Sequence, residues 1–320
     1  MPRPADRFAV SLSPRPGGAA AVAILVLTPV LFSTNPVIGR AAVESTGPWT
    51  LAFLRWALAA AVLLPLAAPA LRRHAATLAA EWPWLVTLGA LGMLICGGGL
   101  YTALQTTTAT NATLIYTTSP LAILALERVL RGRPIRRREA AGIVLALVGV
   151  LVLVSRGSLD RLVGLQFSIG DLLTLGCAVS WAVYTVILRR PGLAGLPALA
   201  LFVSVAAAGA ALLAPLMVFE TVSTGAFPAS GTQWLSIAGL VVLASVAAFL
   251  GYQASVRLAG PAVTGMMMYL MPVSGVAMAV VFLGEDPGMA VLAGSVLVIG
   301  GLMTATAPID RLRAAVMGRS

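Results

Sequence analysis

Lysine is absent from this chain of 320 residues, histidine occurs once, cysteine twice, and only 10% of the residues are charged. Each shortage excludes some chemistry. Without a lysine amine there is no Schiff base, and no phosphate-binding loop of the kind that needs Lys after its glycines. The single His74 stands beside Arg72 and Arg73 in a polar stretch. Bis-histidine haem ligation, histidine-rich zinc sites and Ser-His-Asp hydrolysis therefore lack their material. Cys96 and Cys177 each sit in an apolar run and read as small packing residues rather than as a redox pair. No catalytic residue, metal or cofactor is expected.

What the chain does have is apolar surface: 59% of it is hydrophobic, whereas soluble domains carry roughly 25% charged residues. The composition is that of a membrane protein with the lipid bilayer as its solvent. About 20 apolar residues cross roughly 30 Å of hydrocarbon. Apolar stretches with short polar punctuation fall at about 18–40, 48–70, 82–104, 109–130, 137–154, 168–188, 197–219, 232–256, 261–283 and 288–307, which makes ten spans. No small-residue cleavage site follows a short apolar run at the front, so the first span reads as retained rather than as a signal peptide.

All 21 basic residues are arginines, and the formal net charge is +10. Basic residues collect on the cytoplasmic side of a membrane. With the N-terminus inside, seventeen of the 21 fall in cytoplasmic loops and tails, including Arg128, Arg131, Arg133, Arg136, Arg137 and Arg138 in one loop. Arg40, Arg156 and Arg161 fall outside, and Arg55 lies within a span. Both termini are expected in the cytoplasm. The same distribution accounts for the basic balance without nucleic-acid binding.

Shifting the sequence by 152 residues places Trp82 on Trp234, Gly99 on Gly251, Pro120 on Pro272, Gly132 on Gly284, Gly142 on Gly294 and Gly149 on Gly301, without a gap. Near the front of each half the shift is slightly smaller, and Phe32 to Arg40 matches Trp181 to Arg189. Five spans per half is an odd number, so the second half enters the membrane with opposite orientation. The expected fold is all-α: ten transmembrane helices as two inverted five-helix repeats. A cytoplasmic tail covers 1–17, the repeats 18–154 and 168–307, a linker 155–167, and a second cytoplasmic tail 308–320. Inverted repeats are the usual architecture of secondary transporters, with substrate near the midplane where the halves meet.

Phe32-Ser33-Thr34-Asn35 in the first span, Arg55-Trp56 in the second, Ser180-Trp181-Ala182 in the sixth, and the paired signatures Pro120 to Gly149 and Pro272 to Gly301 resemble the EamA-type drug/metabolite transporter superfamily. The resemblance covers about residues 20–306. It implies a ten-helix carrier of the inner (plasma) membrane, most often an exporter of amino acids or other metabolites, with the aromatic amino-acid exporters as one branch. Phe32 stands where a Trp is common in that family, and Arg133 stands where the second half keeps the acid Glu285.

Side chains at i, i+4 and i+7 share one helix face. Such stripes occur as Thr28, Phe32 and Asn35; Tyr101, Gln105 and Thr108; Cys177, Trp181 and Tyr184; and Ser245, Phe249 and Tyr252. Together with Asn111, Gln253 and Tyr269 they make up the candidate substrate-binding set Phe32, Asn35, Tyr101, Asn111, Trp181, Tyr184, Phe249, Tyr252, Gln253 and Tyr269. Helix packing and interface anchoring are the competing readings of any aromatic stripe, and Tyr101 and Tyr252 lie close to span ends, where anchors belong.

Pro120 and Pro272 lie inside their spans and free the carbonyls of Tyr116 and Met268, while Pro29 and Pro36 break the first span twice, freeing those of Leu25 and Phe32. These four are the candidate hinges; Pro120 and Pro272 face either a wet cavity or a packed kink with a Ser or Thr as partner, for which Thr117, Thr118 and Ser119 are at hand. Arg55 reads equally as a snorkelling anchor and as a ligand for a substrate carboxylate.

An apolar, aromatic path with few charges fits amino acids with aromatic or hydrophobic side chains, exported by alternating access. A multidrug or amine exporter is the alternative, and a lipid-modifying membrane enzyme a remote one. No midplane carboxylate is evident, so facilitated diffusion and exchange stand beside proton antiport. How many copies associate is left open.

Overall fold

The computed structural model describes residues 18–107, 112, 115–132, 134–155, 157, 158, 160, 163, 168–283 and 288–306. Asn111 of the candidate set and Thr108 of the Tyr101 stripe lie outside the described residues, as does the side chain of Pro36. Helix follows helix, and no strand occurs among the described residues. In the first half α1 spans Gly18–Thr46, α2 Pro48–Arg73, α3 Ala75–Ala80, α4 Trp82–Ala103, α5 Ser119–Arg131 and α6 Arg137–Ser155. In the second, α7 spans Ile169–Ile187, α8 Pro191–Ala194, α9 Ala198–Thr224, α10 Gly231–Met267, α11 Leu270–Leu283 and α12 Gly288–Thr306.

Seven of the described helices are long and apolar enough to cross a bilayer. Their outer faces stay apolar: α2 exposes Val62 and Leu66, α6 Val144 and Val148, and α7 Leu172 and Val179. An exposed apolar surface of this extent needs lipid against it. The molecule is a multi-pass membrane protein.

Local sequence explains the interruptions. Ser230 Oγ accepts from Gln233 N at 3.3 Å while Gln233 Oε1 accepts from Ser230 N at 2.9 Å, a reciprocal cap that starts α10. Gly260, at φ 84° and ψ 166°, breaks α10 just before Pro261, which has no N–H to continue the ladder. The prolines expected as mid-span kinks sit elsewhere. Thr117 and Thr118 form a turn, and α5 opens at Ser119, so Pro120 stands in a first helical turn where its missing N–H costs nothing. Pro272 likewise falls in the first turn of α11, as its third residue, after a turn at Met268 and Tyr269. The expected double break of the first span is absent, because α1 stays helical through Pro29 and Pro36. Nearby hydroxyls turn back on its carbonyls, Thr28 on Ile24, Ser33 on Val30 and Thr34 on Leu31.

The most extensive pairings join α6 to α12 and α2 to α9; α1 packs on α10 and α11, and α7 packs on α4 and α5. Exchanging the halves carries each of these contacts onto another or onto itself. At the α6–α12 crossing a Cβ on Gly142 would lie 2.5 Å from Gly301 O, and one on Gly149 would lie 2.7 Å from Gly294 O. Early residues of one helix thus meet late residues of the other, and the pair is antiparallel. In lipid, close backbone approach through small residues is what holds helices together.

Candidate functional site

Seven buried rings from both halves meet where α1, α2, α7, α9 and α10 converge: Phe32, Trp56, Trp181, Tyr184, Phe202, Phe249 and Tyr252. Phe249 is the hub, with centroids 4.7 Å from Trp56, 5.2 Å from Phe32 and 5.6 Å from Trp181. Most contacts are edge-to-face or tilted, while Trp181 and Tyr184 stack at 5.2 Å and 14°. The helical repeat aims these rings inward, since Trp181 and Tyr184, like Phe249 and Tyr252, are three residues apart on one face.

Several polar atoms of this cluster are buried without a close hydrogen bond among the described residues: Trp56 Nε1, Trp181 Nε1, Tyr184 OH and both ends of the Gln253 amide, although Gln253 neighbours Tyr184 and Trp181 neighbours Tyr252. Tyr252 OH, by contrast, shares a hydrogen bond of 2.6 Å with Thr185 Oγ1. An unsatisfied buried donor or acceptor costs about 1–3 kcal/mol. The cluster therefore combines an aromatic lining with polar capacity for a guest molecule or water.

Arg55 borders the cluster, its guanidinium 4.6 Å from the centroid of the Trp56 ring and its side chain only 3% exposed. Nε donates to Ser245 Oγ at 2.5 Å, Nη1 to Asn35 Oδ1 and Tyr101 OH at 3.0 Å each, and Nη2 to the Ala244 carbonyl at 3.0 Å. Tyr101 OH donates in turn to Asn35 Oδ1 at 2.6 Å. Ala244 and Ser245 lie in a π-wound stretch of α10, Leu240–Ala247, and α4 is π-wound at the corresponding place, Gly89–Gly99. A Cβ on Gly97 in that second stretch would stand 3.0 Å from Trp56 Nε1. Neighbouring residues of α2 thus engage the wider windings of both halves, and such windings recur at functional sites.

Acidic residues tie the halves together: Asp171 accepts from Thr107 Oγ1, and two others, Glu220 and Glu81, act at opposite ends. Glu220 of α9 accepts from the backbone N–H of Trp49 at 3.3 Å and of Thr50 at 2.7 Å, capping α2. At the other end Arg190 Nε meets Glu81 Oε2 at 2.8 Å, and the guanidinium carbon of Arg190 lies 4.4 Å from the Trp84 ring centroid. A cavity of about 300 Å³ opens between Glu127, Arg131, Arg189 and the broken stretch Ala259–Val263. Arg131 pairs with Glu127 at 3.4 Å on its rim.

The model of the EamA-like transporter family matches residues 19–155 and again 168–307. The chain belongs to this family. The double match makes it a chain of two EamA repeats. Among similar proteins, an uncharacterized transporter of Bacillus subtilis, YyaM, is 28% identical over 70% of this chain and 73% of its own. The aromatic amino acid exporter YddG of Ancylobacter novellus is 25% identical over 88% and 96%. A probable amino-acid metabolite efflux pump of Salmonella typhimurium is 27% identical over 87% and 92%. A crystal structure of a protein 25% identical in sequence aligns with a TM-score of 0.75, covering 92% of this chain and 99% of the other. The EamA assignment and the relatives named as transporters point to a carrier of small molecules rather than an enzyme.

Within the EamA fold the candidate residues divide into groups. Phe32, Trp181, Tyr184, Phe249 and Tyr252 come together in the ring cluster, and Gln253 beside them is 1% exposed. Asn35 and Tyr101 belong to the Arg55 network instead. Tyr101 and Tyr252 are 3% and 0% exposed, so interface anchoring does not describe them. Nor does snorkelling describe Arg55, which bonds inward to α1, α4 and α10. Tyr269 stands apart, buried with Leu124, Ile143 and Met266 in a second core around α6 and α12. Trp56 and Phe202 complete the ring cluster without having been candidates. Trp56 carried a signal in its place beside Arg55, whereas Phe202 sits in the evenly apolar α9, where no stripe distinguishes it.

Proposed function

We propose that this protein is an inner-membrane exporter of amino acids, aromatic or hydrophobic by preference, that works by alternating access. The observation that carries the proposal is the ring cluster, contributed by both halves and holding indole, phenol and amide groups that lack a close hydrogen bond among the described residues. A hydrophobic amino acid offers such a site an apolar side chain together with donors and acceptors for its polar edge. The names of the Ancylobacter and Salmonella relatives support the same substrate class.

In this reading ten spans form two inverted repeats over 18–154 and 168–307, joined by 155–167, with the tails 1–17 and 308–320 in the cytoplasm. The antiparallel crossing of Gly142 with Gly301 supports the inversion, since equivalent helices of inverted repeats must run oppositely. Phe32, Asn35, Tyr101, Asn111, Trp181, Tyr184, Phe249, Tyr252, Gln253 and Tyr269 are the proposed substrate-contacting set, with Tyr269 at its margin. The turns before Pro120 and Pro272 are the better hinge candidates; Pro29 and Pro36 sit in a continuous helix. Counterflow in proteoliposomes provides the test. Preloaded unlabelled phenylalanine or leucine is expected to drive uptake of the labelled amino acid, and a complete lack of counterflow with every amino acid tried would sink the reading.

A further inference from the structure

We infer that Arg55 is the carboxylate-binding group of the transport site, so that the substrates of this carrier carry a carboxylate next to an apolar body. This rests on the exporter reading and narrows it, by separating carboxylates from the bare amines that an amine exporter would take.

A guanidinium stays charged at any accessible pH and offers five N–H donors. In Arg55 four of the five are used, all on neutral acceptors: a hydroxyl, an amide carbonyl, a phenol and a backbone carbonyl. No carboxylate is among its partners in the described residues. A charge buried in a membrane interior is expensive, and where one persists it marks a functional site by default. Holding helices together does not require that charge, because a neutral amide could bond Ser245 and Ala244 without it.

The surroundings decide what the charge would bind. Nη1 is held by Asn35 and Tyr101, side chains from two other helices whose oxygens can give way to a stronger acceptor, and one N–H of Nη2 has no acceptor among the described residues. Carboxylate is the acceptor whose fork matches guanidinium, through paired charge-assisted bonds. Phosphate would share that geometry, but it normally wants several cations, and the described polar groups around Arg55 are neutral. On its other side Arg55 adjoins Trp56, whose ring packs at 4.7 Å on Phe249 and whose buried Nε1 has no partner among the described residues. A ligand anchored by its carboxylate at Arg55 would lay its apolar part against these rings.

The test compares four probes of one shape on the full-length protein in detergent, following binding by thermal shift: L-phenylalanine, 3-phenylpropionate, phenylalanine methyl ester and phenethylamine. The carboxylates are expected to bind at least about tenfold more tightly than the ester and the amine, as the loss of a charge-assisted pair predicts. Arg55→Gln should abolish that preference, and Arg55→Lys should restore part of it. Equal affinity for phenethylamine and 3-phenylpropionate in the wild-type protein overturns the inference while leaving a carrier of amines standing. An undiminished preference for carboxylates in Arg55→Gln also overturns it. If that variant does not fold, the wild-type comparison decides alone. Binding of none of the four removes this inference and the aromatic amino-acid reading together.

Discussion

The first backbone N–H groups of a helix have no carbonyl one turn earlier to bond, and at α2 the carboxylate of Glu220 supplies the partner from the other half of the chain. Glu220 is 9% exposed, so its charge is balanced by these N–H groups rather than by bulk water. Glu220→Gln keeps the shape and one acceptor but removes the charge. It is expected to cost about 1–2 kcal/mol, read as a lower unfolding temperature in detergent; unchanged stability would show that the cap contributes nothing. Glu220 also shows what residue-level reading misses. In the sequence it is one more acid near a span end, and nothing local says that the end of α2 lies beside it. Tyr101 and Tyr252 fail in the opposite direction: their place near span ends favours an anchor, yet neighbouring helices bury both.

Among the helices, α6 and α12 rest on glycines. Gly142, Gly149, Gly294 and Gly301 leave no room for a Cβ because backbone atoms, which cannot rotate away, occupy that space. Gly142→Val is therefore expected to push the helices apart and cost about 1–3 kcal/mol or more, seen as lost monodispersity and a lower unfolding temperature. Gly176, in the middle of α7, faces open space, and Gly176→Ala is expected to leave stability undiminished. Equal losses at the two positions would contradict the argument. The glycine pairs were legible through the 152-residue repeat, which singled out all four. The π-wound stretches of α4 and α10 were not, because their sequences read as ordinary apolar helix, and a wider winding depends on what packs into it. Pro120 and Pro272 likewise announced an interruption, but whether each proline kinks a helix or starts one depended on where the preceding turn ended.

For the molecule as a whole, the proposed alternating access requires the two ends to open in turn, and acids bonded across the halves, Glu81 at one end and Glu220 at the other among them, join both. A Cβ on Gly192 would lie 3.0 Å from Glu81 Cγ, so cysteines at both positions come within reach of a disulfide, whose Cβ atoms sit about 3.8 Å apart. In Glu81→Cys/Gly192→Cys, oxidation is expected to stop counterflow and reduction to restore it. Undiminished transport in the cross-linked protein would show that this end does not need to part. The sequence by itself determined the membrane class, the two-repeat organisation, the family and most of the aromatic set. Composition, arginine placement and internal similarity carry that information without reference to contacts. Tertiary structure alone decided that Trp56 and Phe202 join the rings, that Tyr269 belongs to a different core, and that Arg55 turns inward among neutral partners. Helical periodicity shows which side chains share a face of their own helix. Which helix lies opposite that face is settled by packing between the halves, whose contacting residues lie far apart in the chain.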